Sequence, residues 1–325
     1  MATKKKKGQA KTLRLRIQTF WHNFFRGRTL VIGIPYMWLL LTFLLPFIIV
    51  LGVSFKEMPD SVNLSDMLSL NDIDTAEFTL KLSSYWRLFT DNLYWRAYVD
   101  STLYAIATTC LCLFIGYPFA YFLVRLPKSW QPMLLMGIMI PFWTSFLLRV
   151  YAWKGLLNAD SGAVGMLISS LGIDEILVSI GLIKNAGMYL YTPLAMLLGM
   201  TYTYLPFMVL PLYDALSKVD NRLLEAAEDL GATPWQSFWK ITVPLTKTGI
   251  IAGTMLVFIP CLGEYVIPKV LGDASILTIG RTLMDEFSTI TDWPMASALT
   301  VLMILIIIIP MAIFNNAMTK RAEEE

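Results

Sequence analysis

Residues Glu225–Leu245 read EAAEDLGATPWQSFWKITVPL, a polar and helix-prone stretch set between two strongly apolar segments. It holds three acids, two Trp and one early Gly. Just upstream, Asp220 is placed to cap a helix whose first turns carry Leu223, Leu224, Ala227 and Leu230. Gly231 ends or bends that helix, and Thr233-Pro234 can start a second one with Pro at its first position. Phe238, Ile241 and Leu245 carry an apolar face on to the next segment. The pattern predicts two short helices meeting at a sharp corner, a compact knob standing out from an otherwise apolar chain. Small Ala226 and Ala227 let another protein's backbone approach, and Glu225 offers a charged handle.

The surroundings of the knob set the class of the protein. Of 325 residues, 56% are hydrophobic and 15% charged, against about 25% charged in a soluble domain. The run Leu30–Phe55 carries no charge and exceeds the roughly 20 residues that span a bilayer core. Six segments qualify as membrane helices, at about 30–55, 97–124, 132–154, 188–212, 248–270 and 293–315, so the expected fold is an all-α integral membrane protein. The first segment is too long for a signal-peptide core and is expected to be retained. The domain organisation follows: a basic arm over 1–29, a transmembrane domain over 30–317 with the knob in a loop at 213–247, and a tail over 318–325.

Lys and Arg fix the expected orientation. One set of connections carries Lys4 to Lys7, Lys11, Arg14, Arg16, Arg26, Arg28, Arg125, Lys128, Lys218, Arg222, Lys240, Lys247, Lys320 and Arg321. The opposite set carries Lys56, Lys81, Arg87, Arg96, Lys184 and Arg281. Both termini and the knob are therefore expected in the cytoplasm. In the arm, Leu13, Ile17, Phe20, Trp21 and Phe24 recur at helical spacing beside arginines, which suits a helix lying in the lipid headgroup region.

Catalytic classes are thinly supported. The single histidine, His22, lies in the basic arm, which removes histidine catalysis and histidine metal sites. Cys110, Cys112 and Cys261 all fall in apolar spans, without the gap of a redox or zinc pair, and read as small packing residues. No Gly-rich loop of the form G-x-x-x-x-G-K-[ST] is present, so the chain carries no nucleotide engine of that type.

Glu225-Ala226-Ala227, then Gly231, Ile241 and Pro244, resemble in type and spacing the EAA motif of ABC-importer permease subunits; Val243 stands where Leu is usual. The resemblance implies that Glu225, Ala226, Ala227 and Gly231 form a coupling helix docked on a separate cytoplasmic ATPase. It extends through IPFWTSFLLRVYAWKGLL (Ile140–Leu157), YTYLPFMVLPLYDAL (Tyr202–Leu216), MLVFIPCLGEYVIPKVLG (Met255–Gly272) and DWPMASAL (Asp292–Leu299), which look like polyamine importer permeases of Gram-negative bacteria, putrescine permeases above all. Similarity covers nearly everything from about Thr29 onward. It implies the type I importer fold and a place in the bacterial inner membrane. The implied partners are a second permease subunit, an ATPase dimer that holds ATP and Mg, and a periplasmic binding protein. No cofactor or metal is expected on this chain, nor any nucleic-acid partner.

The residues themselves fit a polyamine path. A polyamine is an apolar rod with ammonium ends, which carboxylates and aromatic faces would receive. Glu264 is the one acid deep inside an expected span, Asp100 falling only at the edge of another; it lies between Pro260 and Pro268 and beside Gly263, and irregular backbone at that depth belongs where it lines a cavity. It is either part of the path or half of an ion pair with Arg149 or Lys269. Trp143, Ser145, Tyr151 and Tyr202, with Thr144 and Tyr204, are candidate wall residues, each also readable as helix packing or as an interfacial anchor. Arg149 is expected to snorkel, and Asp285, Glu286 and Asp292, on the outer side, to lie on a solvated face rather than to meet the binding protein or guide cations inward. A transporter driven by an ion gradient would also use Glu264 but leaves the knob unexplained, and an ABC permease for another small solute stays open.

Overall fold

The computed structural model describes residues 27–56, 82–158 and 162–322. The expected headgroup helix around Leu13–Phe24 lies outside them, as does the acidic DMLSLNDID (Asp66–Asp74), whose sequence suits part of a platform for the binding protein. The described residues are helical, with no strand. In chain order the main helices are α1 (Gly27–Val53), α2 (Ser83–Thr90), α3 (Asn92–Arg125), α4 (Gln131–Met139) and α5 (Phe146–Leu156). There follow α6 (Ala163–Ser170), α7 (Asp174–Ser179), α8 (Pro193–Ser217), α9 (Asn221–Asp229) and α10 (Pro234–Ser237). The last are α11 (Val243–Leu245), α12 (Lys247–Leu262), α13 (Val266–Leu271), α14 (Ile279–Asp285) and α15 (Trp293–Ala322).

Helices α3, α8 and α12 pack on one another as the centre of the molecule. Their core is built from Ala105, Cys112, Met196, Met200, Met208, Leu212 and Val257, all buried. The approach of α12 to α8 depends on missing side chains: a Cβ on Gly253 would lie 2.7 Å from Met208 Sδ, and one on Gly249 2.7 Å from Pro211 O. Two tyrosines bonded between helices show how polar groups are met within the chain in an apolar solvent. Tyr98 donates to Leu299 O at 2.8 Å, joining α3 to α15, and Tyr117 meets Thr246 at 2.9 Å, joining α3 to the start of α12. Helix α1 packs on α15, yet Trp38 and Phe43 on it are exposed. Such a long uncovered apolar rod is what lipid or another membrane subunit solvates.

Three helices are long and apolar enough to cross a bilayer, namely α1 over Val31–Val53, α3 and α8. The segment expected at 132–154 is not one straight span, because Gln131–Trp143 and Phe146–Leu156 meet at 93°. Pro141 has no N–H to continue the helix. The chain tightens into a 3-10 turn over Ile140–Trp143 and leaves it through extended Thr144, whose hydroxyl donates to Pro141 O at 2.7 Å. The segment expected at 248–270 is also interrupted: α12 ends at Leu262, and α13 starts afresh at Val266. Before it, Pro234–Leu245 and Lys247–Leu262 meet at 66°. If each bent pair is one span, the count reaches five, and α15 adds an apolar stretch over Trp293–Ile309.

Candidate functional site

Two corners place the residues singled out from the sequence. The first is the knob. Asp220 caps α9 by accepting from the Arg222 N–H at 3.0 Å. The helix stops in a closed C-terminal turn: Ala232 N–H donates to Ala227 O and Gly231 N–H to Glu228 O, both at 2.9 Å. Gly231 sits at φ +86°, in the left-handed region, the arrangement that satisfies the last carbonyls of a helix and favours glycine. A Cβ there would meet nothing within 4 Å, so the requirement is backbone conformation alone. Thr233 and Gln236 then form a reciprocal capping box for α10, with Pro234 at its start.

Glu225, Ala226 and Gly231 are exposed and Ala227 is half-buried. Leu230 is 89% exposed, beside exposed Trp235 and Trp239. Beneath this surface Phe238 opens a π-helical turn, Phe238–Thr242. Its ring meets Tyr117 and Tyr121 of α3 edge-on, at 5.5 and 5.4 Å, and stacks near Trp235 at 6.1 Å. The knob is thus keyed into the end of α3 while its polar and apolar top stays uncovered.

The second corner is the break between α12 and α13. Glu264 Oε1 accepts from three backbone N–H groups, of Tyr265 at 3.1 Å, Val266 at 3.0 Å and Ile267 at 3.3 Å. Those donors are the otherwise unmet ones at the start of α13. The Tyr204 hydroxyl donates to Glu264 Oε2. Since Tyr204 lies midway along the 25-residue α8, the carboxylate sits near the middle of a membrane-length helix. From the other side α14 comes so close that a Cβ on Gly280 would lie 2.4 Å from Gly263 O and 2.6 Å from Glu264 O.

The ion pairs considered for Glu264 do not form. Lys269 is engaged by Asp285 at 3.5 Å, and the Arg149 guanidinium lies over the rings of Phe142 and Phe146, at 4.9 and 5.7 Å. Arg149 Nε and Nη1 are buried without a hydrogen-bond acceptor, so this side chain does not reach out in the way snorkelling would require. The aromatic groups that gather here are Tyr204, Phe207 and Phe142: Tyr204 and Phe207 lie 6.4 Å apart, and Phe142 meets Phe207 edge-on at 5.2 Å. Trp143 (75% exposed) and Tyr151 stand on the surface. Tyr202 is exposed and packs edge-on against Trp153 at 5.4 Å. Ser145 is exposed and precedes α5 without a side-chain cap bond.

Acids outside the expected spans correct the sequence reading. Glu286 is 3% exposed and Asp292 8%, so neither lies on a solvated face. Glu286 accepts from the Tyr94 hydroxyl at 2.7 Å. Asp292 accepts from the Met295 N–H at 3.0 Å and pairs with Arg87 at 3.3 Å. The four-residue spacing of Thr282 and Glu286 was the available signal that one helix face carries them.

The comparisons with known proteins agree with this architecture. The family model described as "Binding-protein-dependent transport system inner membrane component" matches residues 20–323. The chain is 35% identical over 292 residues to the "Spermidine/putrescine transport system permease protein PotB" of Escherichia coli K12, covering 89% of this chain and 98% of that protein. It is 36% identical over 284 residues to the Haemophilus influenzae protein of the same name, covering 86% and 91%. Among solved structures, the crystal structure of a bacterial ABC transporter involved in the import of the acidic polysaccharide alginate aligns with a TM-score of 0.59 at 17% identity, over 93% of this chain and 99% of that one. That likeness shows a shared fold, the type I ABC-importer permease fold. A match over nearly the whole chain places this protein in the family of binding-protein-dependent transport system inner membrane components, as a multi-pass permease subunit.

Proposed function

We propose that this chain is one permease subunit of an ATP-driven importer that moves a polyamine, putrescine or spermidine, across the inner membrane. The observation that carries the reading is the 35% identity over 98% of a relative named for spermidine and putrescine transport. Putrescine is the favoured cargo within that class. A second permease subunit completes the pore, a cytoplasmic ATPase dimer holds ATP and Mg, and a periplasmic binding protein delivers the cargo. Both termini and the knob face the cytoplasm.

The two corners then have distinct roles. Glu225, Ala226, Ala227 and Gly231 form the docking face for the ATPase, with exposed Leu230 and Trp235 supplying apolar contact area. Movement of α9 and α10 is passed to α3 through the ring of Phe238, and to α12 through the π-helical turn. Helix α12 has 16 residues, a rod of about 24 Å, and its far end is the Glu264 corner. Docking at one end of the rod therefore bears on the half-buried carboxylate and aromatic faces at the other. There Glu264, with Tyr204, Phe207 and Phe142, presents negative charge and π-faces to a passing ammonium. Trp143, Tyr151, Tyr202 and Ser145 belong to the outer surface of the same path, where the second permease subunit closes it.

The test is uptake of labelled putrescine by the four-component complex reconstituted in vesicles. Glu225→Lys and Gly231→Pro are expected to abolish ATP-dependent uptake while the subunit still inserts in the membrane. Uptake by the chain without an ATPase, or full uptake by both variants, would overturn the reading.

A further inference from the structure

At the far side of α14 from the Glu264 corner lies a buried carboxylate for which the transport reading has no use. Glu286 Oε1 accepts from Tyr94, but Oε2 is buried and has no hydrogen-bond partner among the described residues. Four and eight residues earlier, Thr282 and Thr278 are also buried, and their hydroxyls have no partner among the described residues either. Thr282 stands four residues before Glu286, about 6 Å along the helix and on the same face, and Thr278 is the extended residue that immediately precedes α14. That face packs against α3, where Ser101 Oγ accepts from the Ile279 N–H at 2.6 Å. Around the seam are apolar Leu88, Ala97, Met295 and Leu299.

Carboxylates in such surroundings are held by a positive charge or are neutral, since an unpaired buried charge costs several kcal/mol. Among the described residues, the cationic side chains named for this region are already engaged: Arg87 by Asp292, Lys269 by Asp285, and Arg281 by Asp273 O at 3.0 Å. A proton on Oε2 would remove the charge but add a donor with no acceptor, and would leave both threonines unmet. A small cation meets the charge and the hydroxyl oxygens together. The backbone around Glu286 is also specialised. It opens a π-helical turn closed by Thr291 in the left-handed region at φ 60°, and its carbonyl accepts from the Asp292 N–H at 2.9 Å. Such features concentrate at functional positions.

We propose that Glu286 and Thr282, with Thr278 extending the seam, form a binding site for a small monovalent cation, either a metal ion or a terminal primary ammonium. The site joins α3 to α14, and does so whatever solute the transporter carries.

The test is thermal unfolding of the purified full-length chain in detergent, at equal ionic strength in sodium, potassium, methylammonium or choline chloride. Choline is too large and has no N–H to donate. The expected result is a rise of about 3–6 °C over choline in at least one of the other three. A response to methylammonium alone assigns the site to amines, and a response to sodium or potassium assigns it to a metal ion. Glu286→Gln, which retains an acceptor for Tyr94, is expected to lose the rise; Thr282→Val is expected to reduce it and Thr282→Ser to retain it. An equal rise in Glu286→Gln and the parent, or no salt exceeding choline, would overturn the site. Neither result touches the polyamine reading, which the uptake assay tests separately.

Discussion

The corner at Gly231 and the corner at Glu264 turn the chain sharply by opposite means. At Gly231 every requirement is local: a left-handed glycine, two backbone hydrogen bonds and a capping box, all within residues 227–236. At Glu264 the turn depends on residues far along the chain. Tyr204 binds the carboxylate from 60 positions away, and α14 closes over the break at Gly280. A self-sufficient turn can leave its apolar top bare for a partner, as Leu230 and Trp235 are. A turn made inside the bundle has no water to satisfy its backbone and must recruit side chains.

The largest expected effect breaks the second corner. Glu264→Ala leaves three N–H donors and the Tyr204 hydroxyl without their acceptor, and each buried unmet group costs about 1–3 kcal/mol. Thermal unfolding of the complex is expected to show a loss of at least about 3 kcal/mol, with Glu264→Gln retaining an acceptor and losing less than half of that. Gly280→Ala keeps the carboxylate but drives a Cβ into the carbonyls of Gly263 and Glu264, 2.4 and 2.6 Å away. Its expected loss is about 1–3 kcal/mol, from overpacking against backbone that cannot rotate aside. Gly231→Ala meets no neighbour and is expected to lose about 1–2 kcal/mol, the penalty of a left-handed non-glycine. Gly231→Asn is expected to lose less, because Asn tolerates that region. If Gly231→Ala were more damaging than Gly280→Ala in the same assay, the division between a local and a tertiary corner would fail.

Legibility in the sequence followed the same division. Asp220, Gly231 and Thr233-Pro234 act over a few residues, so their pattern sufficed to place the knob. The apolar length of α1, α3 and α8 was equally plain. Hydropathy did not reveal the 93° turn in 131–156, because only Thr144 and Ser145 interrupt the apolar run from Ile140 to Leu148 and Pro141 marks the bend only weakly. Gly263 and the flanking prolines did suggest an irregular helix near Glu264. That the carboxylate would cap α13 was invisible, since the geometry is set by α8 and α14. Glu286 was missed for a related reason: its segment is polar in sequence, and three packed helices bury it.

The far end of α13 allows the mildest test of the tertiary corner. There Asp273 pairs with Lys184 at 2.5 Å and accepts from the Ser275 N–H at 2.7 Å, tying the short helix to the 182–190 segment. The Lys184 ammonium, then the Ser275 amide, holds the Asp273 carboxyl well below the usual carboxylate range. A depressed folded pKa stabilises the fold above the unfolded value of about 3.9, and that contribution is lost as pH falls towards the folded one. Against Asp273→Asn, the parent is therefore expected to melt slightly higher at pH 7, and by the same margin at pH 5. The difference should shrink only below about pH 4. Because the Lys184 side chain is 67% exposed, salt screens the pair and the gap should narrow as ionic strength rises. A gap that instead persists unchanged into strong acid would mean that Asp273 holds α13 by shape and not by charge, and that only the Glu264 end of the helix is electrostatically fastened.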